Sequence, residues 1–218
     1  MGAPPVLLAH LRSAMKATTP GQGLRPDDEV RFDLQELAGR LVELRGEAAL
    51  TAGLGLVLEA QQRGEPAAYV GAEASSFYPP DAAEGGVDLE ALVVIRAREA
   101  AGPAGRARAA EELVRSGAFA LVLVDLGSDE TRLPPALLAR LLALAQKHQA
   151  AIVFLSSGGG EDAASPLGSL VSLRARTRRA SVGETRLRCA ISLEVVKDKR
   201  RAPGWTHAET CRAPVGLR

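Results

Sequence analysis

The sequence predicts an α/β fold, a mostly parallel sheet flanked by helices and extended by a C-terminal antiparallel hairpin. Three features lead there. Between residues 41 and 157, short runs rich in Leu, Val and Ala alternate with helical stretches, an order that requires parallel strands joined by right-handed crossovers. Those runs lack polar alternation, as strands covered on both faces do. Beyond residue 172 apolar and basic residues alternate, the pattern of paired strands with one wet face.

Taken in order, residues 5–16 place Val6, Leu7, Leu8, Leu11 and Met15 on one side of a helix, and a Gly/Pro-rich linker follows. Residues 1–31 are therefore set apart as an N-terminal helix and linker, 32–209 as the core domain, and 210–218 as a C-terminal tail. Strands are predicted at 41–45, 67–73, 92–97, 119–126 and 150–157, with helices near 54–63, 106–116 and 134–148. The third helix carries Leu137, Leu138, Leu141, Leu142 and Leu144 as a broad apolar stripe, and Pro134-Pro135 stands near its start, where proline is tolerated. The hairpin runs over 172–177 and 186–196, joined by a turn at 180–184. Its apolar face holds Leu173, Ala175, Thr177, Leu187, Cys189, Ile191, Leu193 and Val195.

Composition narrows the class. At 218 residues, 46% hydrophobic and 24% charged, the chain can bury an ordinary single core. Cys189 and Cys211 have neither zinc spacing nor a disulfide framework; with Cys189 on a strand face and Cys211 in a polar tail, they suggest a reducing cytoplasm. No apolar run reaches the ~18 residues of a membrane span, and the N-terminal segment lacks the basic start of a signal peptide. The three histidines, His10, His148 and His207, have no ligand at metal-site spacing. Aromatic content of 3% leaves few platforms for stacking nucleobases. Net charge is +1, yet residues 173–201 hold ten basic side chains against three acidic ones. Such a basic edge faces a polyanion or an acidic partner, or simply solvates the strand pair.

Residues 40–73 read as the strand, glycine turn, helix and second strand of a nucleotide-binding unit. A phosphate-binding loop needs backbone N–H groups curled around phosphates, a lysine on the β/γ-phosphates and a hydroxyl on Mg²⁺. Here Gly46 is followed by Glu47, with Thr51 and Gly53 further on and no lysine. The bend is degenerate: no cofactor is expected, and ATP hydrolysis is not. Glu73 closes the second strand where a carboxylate could polarise water. Asp125 ends Val122-Leu123-Val124-Asp125, as a Mg²⁺-side aspartate does or as a strand-capping aspartate does. Neither is assigned catalysis, and Ser156-Ser157 followed by three glycines is a weak anion signal.

Five segments carry a resemblance: 39–46, Val70-Gly71-Ala72-Glu73, the strand ending at Asp125, Ile152 to Ser157, and above all Val195-Val196-Lys197-Asp198-Lys199-Arg200-Arg201-Ala202-Pro203. Together they resemble the core of RecA recombinase in the same order, over residues 39–209. The resemblance implies a RecA-like, P-loop NTPase-type sheet in which Glu73 and Asp125 are vestiges of a catalytic glutamate and a metal-side aspartate. It implies that Lys197 and Lys199, with Arg200 and Arg201, form a partner interface, since the RecA lysine pair reaches a neighbour's ATP. Arg174, Arg176, Arg178, Arg186 and Arg188 form a possible face for DNA or an acidic partner. Among shortened relatives without the Walker lysine the chain is similar to the ImuA family, accessory proteins of SOS mutagenesis. That similarity implies DNA repair and translesion synthesis at the nucleoid, with RecA, an ImuB-like pseudo-polymerase and an error-prone DNA polymerase as partners. SulA-type division inhibitors, and a repair ATPase with an atypical phosphate loop, are the alternatives.

Overall fold

The computed structural model describes residues 32–128, 132–157, 165, 167–181 and 188–212. The expected N-terminal helix and linker, Arg186 and most of the expected tail lie outside the described residues. Residues Arg31–Arg218 form one unit. In chain order its elements are α1 (Leu34–Leu37), β1 (Leu41–Arg45), α2 (Ala49–Gln62), β2 (Ala67–Ala72), α3 (Pro79–Glu84), β3 (Leu92–Ala97), α4 (Gly102–Arg115), β4 (Leu121–Gly127), α5 (Pro135–His148), β5 (Ala151–Ser156), β6 (Leu173–Ser181), β7 (Arg188–Asp198) and β8 (Thr206–Arg212).

The strands build one eight-stranded sheet in the order β3-β2-β4-β5-β1-β6-β7-β8. Every pairing from β3 to β6 is parallel, and β6-β7-β8 is antiparallel. Because successive side chains point to opposite faces, β1 sends Val42 and Leu44 to one core and Leu41 to the other. The first core packs α1 and α2 on the sheet through Leu37, Leu56 and Val57. The second packs α4 and α5 through Val114, Leu137, Leu138 and Leu141. A parallel sheet needs helices on both faces for this reason.

Local chemistry sets the helix ends. Asp33 caps α1 by accepting the Glu36 N–H at 2.9 Å. Pro135 opens α5, and Gln149 closes it in a left-handed conformation at φ +53°. The Ala/Gly-rich start of α4 lets that helix begin at Gly102, four residues before the expected position.

Four expectations are revised. Strand β3 is not covered on both faces: it is the sheet edge, and Val93 and Val94 are 44% and 38% exposed. The antiparallel part is a three-stranded meander rather than a hairpin, because Thr206–Arg212 adds β8 across the expected boundary at 209. Cys211 is consequently not in a tail but opposite Cys189 in the β7-β8 register. Ala180 and Ser181 belong to β6 instead of the predicted turn. Among the described residues no helix is long and apolar enough to cross a membrane.

Candidate functional site

A cleft of about 440 Å³ opens at the carboxyl ends of β1, β2, β4 and β5. The chain leaves β1 and places β2 on the far side of β4 and β5. Such a change of direction is where open α/β sheets form ligand crevices. Its walls are the bend after β1 (Gly46, Glu47), the segments after β2 and β3 (Ser75, Glu99), Arg106 of α4, and the ends of β4 and β5 (Asp125, Ser156).

The bend is tied to β6. Gly46 has φ +117°, and a Cβ there would stand 2.2 Å from the Thr177 carbonyl oxygen. Glycine is thus demanded by a close approach of β6 and by backbone sterics. The Glu47 carboxylate accepts the Arg179 backbone N–H at 2.9 Å, and the Arg179 guanidinium donates to the Thr51 hydroxyl at 3.0 Å. Thr177 in turn donates to the Arg45 carbonyl at 3.0 Å. Gly53 serves packing: a Cβ would meet methyls of Leu123 and Leu155 at 3.2 Å. Gly46 reaches the cleft, whereas Thr51 and Gly53 do not line it.

These residues do not fit a Mg²⁺-triphosphate. Among the described residues three carboxylates, Glu47, Glu99 and Asp125, line the cleft against one cation, Arg106, and the glycine of the bend is followed by a glutamate. Among the described residues no cluster of three or more His, Cys, Asp or Glu side chains is placed to hold a metal ion.

Asp125 is 8% exposed and fully engaged in the strand end. It accepts the Tyr69 hydroxyl at 2.6 Å and the Gly127 N–H at 2.8 Å. Burial and the Asp125 charge together push the Tyr69 phenol far above its ordinary range, so it remains a donor to Asp125. Glu73 stands just beyond β2, exposed and outside the cleft lining, with its carbonyl accepting from Arg96 at 3.2 Å. Glu99 occupies the rim in its place and accepts the Ala74 N–H at 3.2 Å.

Arg106 was not anticipated from the sequence. It is 6% exposed and donates one hydrogen bond, from Nη2 to the Leu126 carbonyl at 3.2 Å, while its Nε has no partner among the described residues. Ser156 Oγ, buried in the same lining, is likewise unpartnered. A signal did exist: the buried stripe Pro103, Arg106, Ala107, Ala110, Glu111, Val114 has helical spacing with two charges in it. Glu111 is answered by Arg140 and Arg115, whose guanidiniums hold it below the usual carboxylate range.

The basic edge runs along β6 and β7, with Arg176 opposite Arg45 at the carboxyl end and the lysines further toward the amino end. The register Glu43↔Arg174↔Lys197 places Lys197 near the middle of β1, and Lys199 lies further toward the amino end, its N–H donating to the Ser172 carbonyl at 2.8 Å. Lys197 donates to the Ser169 carbonyl at 3.1 Å, and burial, then Lys199 and Arg174, lower its pKa. Lys199 is exposed. Arg200 and Arg201 instead dock the end of β7 on α1: Arg200 donates to the Glu36 and Ala38 carbonyls at 3.0 Å, and Arg201 to the Glu36 carboxylate at 2.9 Å. Between the two lysines, Asp198 forms a buried ion pair with Arg40 and accepts from Trp205 at 3.3 Å.

The arginine face is likewise uneven. Arg174 meets fully buried Glu43 at 2.5 Å, where Ser165 also donates at 2.6 Å. Arg176 and Arg178 follow on the same side of β6 and have interactions of their own. Arg188 pairs through its backbone position with Arg212. Comparison of the chain with protein-family models gives no match, and comparison with curated proteins gives none either.

Proposed function

We propose that the chain is a non-catalytic, RecA-like accessory protein of SOS translesion DNA synthesis, similar to the ImuA family, acting through protein contacts in the cytoplasm at the nucleoid. Its partners in this reading are RecA, an ImuB-like pseudo-polymerase and an error-prone DNA polymerase. Direct DNA contact through Arg176 and Arg178 is secondary.

The observation that carries the reading is the difference between the two ends of the sheet. At the carboxyl end the bend is bound to β6 through Gly46, Glu47 and Thr51. Toward the amino end Lys199 is exposed beside Lys197. A head-to-tail assembly propagates only if each subunit offers both halves of the contact. A chain with the lysine half alone terminates a RecA filament instead of extending it.

Charge-assisted contacts are worth about 1.5–3 kcal/mol each, so Lys197→Ala/Lys199→Ala is expected to weaken co-sedimentation with RecA–ATP filaments more than a hundredfold. Undiminished binding refutes the capping. Titration with ATP-Mg²⁺ tests the non-catalytic half independently: absence of turnover agrees with it, and steady hydrolysis refutes it.

A further inference from the structure

We infer that the cleft is a binding site for a small monocarboxylate, held by Arg106 and Ser156. The inference is separate from the macromolecular contacts proposed above, since none of the residues it uses lies at the lysine end.

Buried charges in folded proteins are paired, because an isolated ion loses its hydration without compensation. This chain follows the rule elsewhere. Buried Arg40 faces Asp198, buried Glu43 faces Arg174, and buried Glu111 faces Arg140. Arg106 is the exception among the described buried cations: 6% exposed, with no carboxylate within ion-pair distance and one of its five N–H donors engaged by the Leu126 carbonyl, while Asp125, the buried carboxylate of the same cleft, is answered by the Tyr69 hydroxyl and the Gly127 N–H and by no cation. The exception faces the cleft. Ser156, 5% exposed at the end of β5, brings an unpartnered hydroxyl to the same lining.

The surroundings select the ligand. A carboxylate accepts from a guanidinium in a planar fork and can accept a hydroxyl as well. Phosphate esters carry more charge, and Glu47, Glu99 and Asp125 around the same space oppose each additional negative charge. Ala49, Leu50, Ala72 and Leu155 supply an apolar wall suited to a short aliphatic body. A single carboxylate on a few carbons matches one buried guanidinium, one hydroxyl and that wall.

The test uses the full chain, ¹⁵N-labelled, with butyrate titrated at constant ionic strength and the Arg106 Nε–H resonance observed by NMR. A saturable shift is expected, weakened at least tenfold in Arg106→Met and severalfold in Ser156→Ala, with inorganic phosphate and ATP-Mg²⁺ binding more weakly than butyrate. A linear, unsaturating drift, or phosphate binding as tightly as butyrate, overturns the inference. So does butyrate affinity unchanged by Arg106→Met, with backbone resonances near the cleft reporting in that variant. Should Arg106→Met not fold, Ser156→Ala decides alone, and unaltered affinity there overturns it.

Discussion

Replacing Gly46 with alanine places a methyl carbon 2.2 Å from the Thr177 carbonyl oxygen, on a residue with φ +117°. Backbone strain for a side-chain-bearing residue in that region costs about 1–3 kcal/mol. The clash adds about 1–3 kcal/mol, as overpacking does, because the atom in the way is backbone and cannot swing aside. The sum, about 2–6 kcal/mol, is a large part of a typical domain's 5–15 kcal/mol. Gly64→Ala separates the two contributions: Gly64 also has positive φ, +73°, but nothing lies within 4 Å of its added Cβ. Urea denaturation of both variants is the assay, with ΔG taken from midpoint and slope. Gly64→Ala is expected to lose about 1 kcal/mol and Gly46→Ala at least twice as much. Equal losses in the two would show that β6 does not press on the bend, and the account of the bend would fall with it.

Removing Arg40 leaves Asp198 buried without its guanidinium, so Arg40→Met should cost about 3–5 kcal/mol at neutral pH. Burial raises the Asp198 pKa, but the Arg200 backbone N–H and the Arg40 guanidinium outweigh it and hold the carboxyl below its ordinary range. The stability it contributes is therefore complete above the usual aspartate value near 4 and lost as pH falls through the lower, folded-state value. The gap between wild type and Arg40→Met should narrow in acid and stay constant between pH 5 and 7; a gap that widens in acid contradicts the pairing. Burial, then the neighbouring Cys189 and Glu209, push the Cys211 thiol up to about 11. Its alkylation by iodoacetamide in the folded protein should rise about tenfold per pH unit from 8 toward 11, and a plateau near pH 9 would refute that environment.

What the sequence revealed follows the physics of each element. Strands β1, β2, β4 and β5 were legible because a buried parallel strand must be apolar on both faces. The exposure of β3 was not, since Val93 and Val94 look like core until the strand order leaves them at the edge. Strand β8 was hidden by its composition, Thr-His-Ala-Glu-Thr-Cys-Arg, which carries no apolar run. The contacts of Arg200 and Arg201 within the chain were not legible because the Glu36 carbonyl and carboxylate that accept from them lie on α1, 164 and 165 residues earlier. Arg106 escaped for a related reason: helix periodicity marks a charged residue within the covered face, but which of the two, Arg106 or Glu111, lacks an ionic partner shows only once the partners can be counted.

Strand β6 meets the parallel half of the sheet on one side and the antiparallel half on the other. Arg174 near its start grips Glu43, while Thr177 and Arg179 hold the bend. Five steps of extended chain lead from Arg174 to Arg179, roughly 17 Å at about 3.3 Å per residue. A load applied to the basic rim is thus carried along a single stiff rod to the floor of the crevice, with no flexible loop to absorb it on the way.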